Sequence, residues 1–149
     1  VTAEEIALAA LKTLEGCKLA AYQDQGGVWT IGYGHTGPDV HPRITCTQEQ
    51  ADRQLALDLA RFAKGVRTRV QARLSQHQLA ALMVFSFNVG LGAFFGSTLL
   101  RELDAGHLER VPAELARWTK VSGATNRGLV ARRAAEITIW DTPDAPEAA

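Results

Sequence analysis

Long apolar runs are missing from this chain: no stretch of about 18 apolar residues occurs, so no segment of it reads as a membrane-spanning helix. Metal-ligand spacing is missing too. The histidines His35, His41, His77 and His107 are scattered, no HExxH or CxxC is present, and neither a metal nor another cofactor is expected. Charge of one sign is absent, because 16 basic residues balance 16 acidic ones. A neutral chain lacks the electrostatic footprint of a nucleic-acid binder, and no aromatic residues interleave with its basic ones. No fixed-period repeat or low-complexity tract occurs. Gly32-Tyr-Gly34-His-Thr-Gly37 has the glycine pattern of a dinucleotide-binding loop, but Pro38 and Pro42 fall where that fold needs a helix. Alternating strands and helices do not follow, so nucleotide binding is excluded.

What is present is enough apolar material for a real core. The chain has 149 residues, 46% of them hydrophobic, which predicts one domain over 1–149 whose surface can divide into two lobes. Thr2-Ala-Glu-Glu5 has the form of a capping box, and Ile6, Leu8, Leu11 and Leu14 recur at helical spacing. Gly16 then supplies the residue that most easily ends a helix. Glu15 therefore sits at the helix terminus, where the negative end of the dipole and any burial both favour its neutral form. Such a carboxyl suits proton donation to a leaving oxygen.

Lys18 to Gln23 reads as a strand, Asp24-Gln-Gly-Gly27 as a turn, and Val28 to Gly34 as a returning strand. Trp29, Ile31 and Tyr33 share one face of it, so Thr30 points to the other. Asp24 lies in solvent at the turn. Two carboxyls in contrasting environments, with a hydroxyl able to hold a water, make an acid, a base and a water-positioning group. Read singly, a helix-ending Glu and a turn Asp are also ordinary surface residues.

Glu15-x8-Asp24-x5-Thr30, followed by Ile-Gly-Tyr-Gly-His35, resembles the active-site segment of the phage-type lysozymes, the endolysins of glycoside hydrolase family 24. Gln76-His-Gln78 through Asn88-Val-Gly90, Ala93 to Leu100 and Gly128 to Glu136 resemble later segments of the same family. The likeness extends from about Leu11 to Trp140. It implies an α+β lysozyme-like fold, mainly helical, with a small antiparallel β-sheet lobe near 17–58, a helical lobe near 59–141 joined by the N-terminal helix, and an active-site cleft between lobes. It also implies a monomeric muramidase that cuts the β-1,4 bond between N-acetylmuramic acid and N-acetylglucosamine of peptidoglycan. Glu15 matches the general acid, Asp24 the base or electrostatic stabiliser, and Thr30 the holder of water. The family is described as inverting, which suits carboxyls roughly 6.5–9.5 Å apart.

The resemblance makes His35 a structural partner of an acidic or backbone group, and Arg127 the candidate to steady Glu15. Against that stands an ordinary surface pair of Arg132 with Glu136. Phe94, Phe95 and Ser97, from the matched loop, are candidates for sugar contact. Cys17 and Cys46 read as small buried hydrophobes or as a redox pair beside Glu15. Some signal-anchored relatives carry a cysteine where Asp24 stands here, so thiol caging of that position is unavailable to this chain. The chain starts at Val1 without a Met, and a membrane is a partner only if an N-terminal signal-anchor precedes it. The implied setting is synthesis in a bacterial host cytoplasm and action on the wall, in the periplasm of a Gram-negative host. Alternatives are a non-catalytic wall-binding module of the same fold and a lytic transglycosylase.

Elsewhere the pattern predicts helices. Thr47-Gln-Glu-Gln50 caps one carrying Ala51, Leu55, Leu59 and Phe62, which Gly65 ends or kinks before a connecting helix through Val66, Val70 and Leu74. Ser75-Gln-His-Gln78 caps a central helix apolar on nearly every side, which Gly90 and Gly92 end. Thr98–Asp104, Pro112–Trp118 and Asn126–Trp140 supply three more, and 142–149 reads as a frayed tail. No acidic residue lies between Asp58 and Glu102, while Arg61, Lys64, Arg67, Arg69, Arg73 and Arg101 do, a stretch suited to steering toward an anionic polymer or simply to a solvated face.

Overall fold

The computed structural model describes residues 1–146, and within them the chain divides into two compact units. One is Leu8–Arg61; the other joins Val1–Ala7 to the chain from Phe62 onward.

In the first unit, the first helix, α1 (Ala3–Glu15), delivers its C-terminal half, and Gly16 leaves it with φ +64°, a conformation that glycine adopts without steric cost. A three-stranded antiparallel sheet follows in the order β1 (Lys18–Gln23), β2 (Trp29–Gly32), β3 (His35–Thr36). Tyr22 pairs with Thr30 and Gln23 with Trp29, while an irregularity between Lys18 and Tyr22 shifts the register. The free edge of β1 is covered by 44–46: Ala21 N–H donates to the Ile44 carbonyl at 3.0 Å and Cys46 N–H to that of Leu19 at 2.8 Å. The returning strand is shorter than Val28–Gly34, because the chain turns at Tyr33 and Gly34 into β3. Leu11, Ile31, Tyr33, Val40, Ala51, Leu55 and Leu59 form the unit's buried apolar set.

Helix α2 (Gln48–Arg69) opens on the capping box expected there: Gln50 N–H donates to Thr47 Oγ1 and Thr47 N–H to Gln50 Oε1. It runs unbroken through Gly65. A Cβ at Gly65 would lie 2.7 Å from Leu91 Cδ2, so the glycine serves close approach to a neighbouring helix, not termination. The expected connecting helix to Leu74 does not form. Val66 belongs to α2, and 70–75 is irregular.

The second unit is helical. At its centre α3 (Gln76–Val89) packs on α7 (Arg127–Asp141), with α4 (Leu91–Phe95), α5 (Thr98–Asp104) and α6 (Val111–Ala116) between them in sequence. Ala80 to Phe85 are completely buried, as a helix apolar on all sides requires. Gly90 ends α3 with φ +94°, whereas Gly92 lies inside α4. A two-stranded hairpin that the sequence pattern did not indicate, β4 (Lys120–Val121) with β5 (Ala124–Thr125), precedes α7.

The N-terminus of α3 holds Asp144 of the C-terminal segment. Ser75 and Gln78 form a reciprocal capping box. The remaining first-turn amides, Gln76 N–H and His77 N–H, donate to the Asp144 carboxylate at 2.8 and 3.0 Å, and His77 Nδ1 lies 2.7 Å from it. Asp144, within the segment read as a frayed tail, thus makes defined contacts; 147–149 lie outside the described residues.

Candidate active site

Of the three residues proposed for chemistry, all belong to the unit Leu8–Arg61. Glu15 closes α1. Its carboxylate lies against the turn after β2: a Cβ placed on Gly34 would come 3.9 Å from Glu15 Oε2, and Gly34 holds φ +85°. A glycine there keeps the backbone low beneath the carboxyl group.

Asp24 and Thr30 are tied to one peptide. The Val28 carbonyl accepts the Asp24 N–H at 2.9 Å and the Thr30 hydroxyl at 2.9 Å. The Val28 N–H in turn donates to Asp24 Oδ1 at 2.9 Å, and the Gly26 N–H donates to the same oxygen at 2.8 Å. One oxygen of Asp24 thus closes the turn, as a turn aspartate ordinarily does. Oδ2 makes no protein hydrogen bond among the described residues. Thr30 is buried and has spent its only proton on Val28, so its remaining capacity is as an acceptor. These directions matter chemically, because a water whose hydrogens point to Asp24 Oδ2 and Thr30 Oγ1 keeps a lone pair for attack.

His35 stands beside this group with both ring nitrogens occupied, Nδ1 at 2.9 Å from Asp58 Oδ2 and Nε2 at 3.0 Å from Asp39 Oδ2. Burial of the ring opposes its charge, yet the hydrogen bonds to Asp39 and Asp58 outweigh it and raise the imidazole pKa. The Asp39 carboxyl is held below the usual range by the same bond to His35. Tyr33, Gln48 and Asp52 form a second knot, with the phenol donating to Asp52 Oδ1 at 2.9 Å and Gln48 Nε2 donating to both. Cys17 and Cys46 are free thiols. Burial, followed by the neighbouring Cys17, pushes the Cys46 thiol up.

The residues expected to support the site from the helical unit are dispersed in role. Arg127 is exposed at the start of α7 and makes no ion pair among the described residues. The pair Arg132 with Glu136, read as a surface pair, is instead buried, at 8% and 0% exposure. Burial pushes the Glu136 carboxyl up to about 7 against the pull of Arg133 and Arg132. Phe94 and Ser97 perform structural work. Phe94 is in the core, and the Ser97 hydroxyl caps α5 by accepting Leu100 N–H while donating to the Phe94 carbonyl. Phe95 alone of the three reaches the surface, where Arg69 lies over its ring. Within the basic interval, Arg67 is neutralised by Glu4 at 2.7 Å. The pattern of residue types did not single out the Val28 carbonyl, because a backbone acceptor has no signature apart from the register of the turn around it.

A small antiparallel sheet, preceded by a helix that ends on a glutamate and joined in one chain to a helical bundle, defines an α+β lysozyme-type fold. Comparison with known proteins agrees. The phage lysozyme family profile matches residues 12–136. An endolysin of Bacillus phage PZA is 41% identical over 134 residues, covering 89% of this chain and 52% of that protein. An endolysin of Acyrthosiphon pisum secondary endosymbiont phage 1 is 37% identical over 142 residues, covering 93% of this chain and 97% of its own. Among solved structures, the muramidase domain of SpmX from Asticaccaulis excentricus superposes with a TM-score of 0.86 at 33% identity, covering 93% of this chain and 96% of that one. The chain belongs to the phage lysozyme family. It spans about half the length of the Bacillus phage endolysin it matches. Among the described residues no helix is long and apolar enough to cross a membrane.

Proposed function

We propose that this protein is a muramidase of the endolysin type, cleaving the β-1,4 glycosidic bond between N-acetylmuramic acid and N-acetylglucosamine in peptidoglycan during host lysis. The observation that carries this reading is the shared Val28 peptide, which fixes Asp24 Oδ2 and Thr30 Oγ1 as two acceptors without protons of their own to give. Glu15 protonates the leaving glycosidic oxygen. A water accepted by Asp24 and Thr30 is deprotonated as it attacks the anomeric carbon from the other side, so the configuration inverts. His35, locked between Asp39 and Asp58, acts on neither proton and holds the sheet to α2. The site of action is the cell wall, which the names of the related endolysins support.

The test is clearing of purified peptidoglycan by the native chain beside Glu15→Gln and Asp24→Asn, with new reducing ends and anhydro-sugars both assayed. Reducing ends from the native chain alone support hydrolysis by these carboxyls. Anhydro products would assign a lytic transglycosylase, and binding without clearing by all three proteins would make the chain a wall-binding module.

A further inference from the structure

The turn beneath the Glu15 carboxyl group, Tyr33-Gly34-His35, is fastened to α2 on both sides of its glycine. On one side the Tyr33 phenol, in a residue that is 7% exposed, donates to Asp52 Oδ1 at 2.9 Å. On the other, His35 Nδ1 lies 2.9 Å from Asp58 Oδ2. Gly34 between them is the residue at which a Cβ would come 3.9 Å from Glu15 Oε2. The same Asp52 reaches the helix that carries Glu15. Its Oδ2 lies 3.7 Å from Lys12 Nζ, and Lys12 stands three residues before Glu15 on the same face of α1. Gln48 completes the arrangement: its Nε2 donates to Asp52 Oδ1 at 2.9 Å and to the Tyr33 oxygen at 2.8 Å, and lies 3.9 Å from Sγ of Cys17, two residues past Glu15.

The protonation states suit these directions. Burial, with Asp52 adding to it, raises the Tyr33 phenol, which stays a donor. Hydrogen bonds from Gln48 and then Tyr33 hold the Asp52 carboxyl below its usual range, so it stays an acceptor. The Lys12–Asp52 pair is 45% and 37% exposed, and a pair so exposed contributes little to stability. What Asp52 supplies is geometry, since it is bonded both to the helix that ends on Glu15 and to the turn that faces it. Proton donation needs hydrogen-bond reach, and misplacing a reacting group by about 1 Å can cost on the order of a hundredfold in rate. We propose that Asp52 is a positioning residue for Glu15, fixing through Tyr33 and Lys12 the separation between the end of α1 and the Gly34 turn. This inference rests on the muramidase reading and deepens it by naming what holds the acid in place.

The test measures kcat and KM for reducing-end release from peptidoglycan, with thermal unfolding of the same preparations, for the native chain, Asp52→Ala, Asp52→Asn and Tyr33→Phe. Asp52→Ala removes the acceptor of Tyr33 and Gln48 together with the partner of Lys12. Its kcat is expected to fall about tenfold to a hundredfold while KM stays within about twofold. Tyr33→Phe keeps the ring in the core and deletes only the donor, so its loss should also fall on kcat. Asp52→Asn keeps a carbonyl oxygen for Tyr33 and Gln48 and should recover most of the alanine variant's loss. A residue that served the fold alone would lower the melting temperature and leave the kcat of the folded protein unchanged. Values of kcat within about twofold of native in both Asp52→Ala and Tyr33→Phe, or a loss carried by KM, overturn the positioning role. So does an asparagine variant as slow as the alanine one. A native chain that releases no reducing ends, or a Glu15→Gln variant that matches it, overturns the muramidase reading instead.

Discussion

Asp24 offers the sharpest separation between a catalytic carboxylate and a turn cap, because only one of its two oxygens is taken up by the turn. Oδ1 accepts from Gly26 and Val28, while Oδ2 accepts from no protein donor among the described residues. Asp24→Asn retains a carbonyl oxygen for the turn and replaces only the outward oxygen, with an amide that donates instead of accepting. Asp24→Ala removes both. Hydrogen bonds of this type contribute about 0.5–1.5 kcal/mol each, so losing two costs roughly 1–3 kcal/mol. At about 2–4 °C per kcal/mol for a chain of this size, the alanine variant should melt roughly 2–12 °C below the native chain. The asparagine variant should melt within about 2 °C of it on the same scale, since the turn is preserved. Loss of general-base assistance is typically ~10²–10⁴-fold, and both variants should lose activity by that much. Reducing-end release from peptidoglycan and thermal unfolding by circular dichroism measure the two quantities on the same preparations. If Asp24→Asn keeps activity within about threefold of native, far short of the loss general-base removal entails, the carboxylate is a turn cap and the water-holding argument fails.

The His35 pKa is raised in the folded state, so its contribution is fully present below its unfolded value near 6.5 and is lost as pH rises through the folded value. The native melting temperature should therefore decline on the alkaline side of that window while His35→Asn shows a flatter profile; identical slopes would remove the imidazole from the account. Glu136, raised to about 7 by burial, has the same sign at lower pH. Its favourable contribution is complete below about 4.5 and lost by pH 7 and above, and Glu136→Gln should abolish that part of the slope in urea titrations followed by fluorescence. Gly65→Ala should fail to give the gain of about 1 kcal/mol that helix propensity alone would provide, because its Cβ meets Leu91, and should recover that gain in a Leu91→Ala background. A double-mutant cycle with no coupling would show that α2 and α4 do not approach as described.

Periodicity located the helices well where one element met one environment. The central helix was legible because Leu79 to Phe87 are apolar on all sides, and Ser75-Gln-His-Gln78 announced its start through side-chain types that satisfy free amides. Gly65 misled because a glycine in a helix has the same letter whether it ends the helix or admits a neighbour, and only Leu91, far along the chain, decides between them. Arg132 with Glu136 misled for a related reason: the i,i+4 spacing is the same on a surface and in a core, and burial depends on what α3 presents to that face. The β4–β5 hairpin escaped because its two-residue strands are too short to show alternation. The spacing of Glu15, Asp24 and Thr30 could be read from the sequence, but the unequal surroundings of the two Asp24 oxygens depend on the Val28 peptide, which residue types do not encode.

The start of α3 binds both extremities of the described chain. Gln76 Oε1 accepts the Ala3 N–H at 2.8 Å, and the amides of Gln76 and His77 are taken by Asp144. Two segments that meet on the same helical turn can be joined there and the chain opened elsewhere. A circular permutant with a short linker from Asp144 to Ala3, opened in the loop at 71–73, would preserve these clasps, whereas a truncation that removes Asp144 would leave the first turn of the central helix to find its acceptors in water.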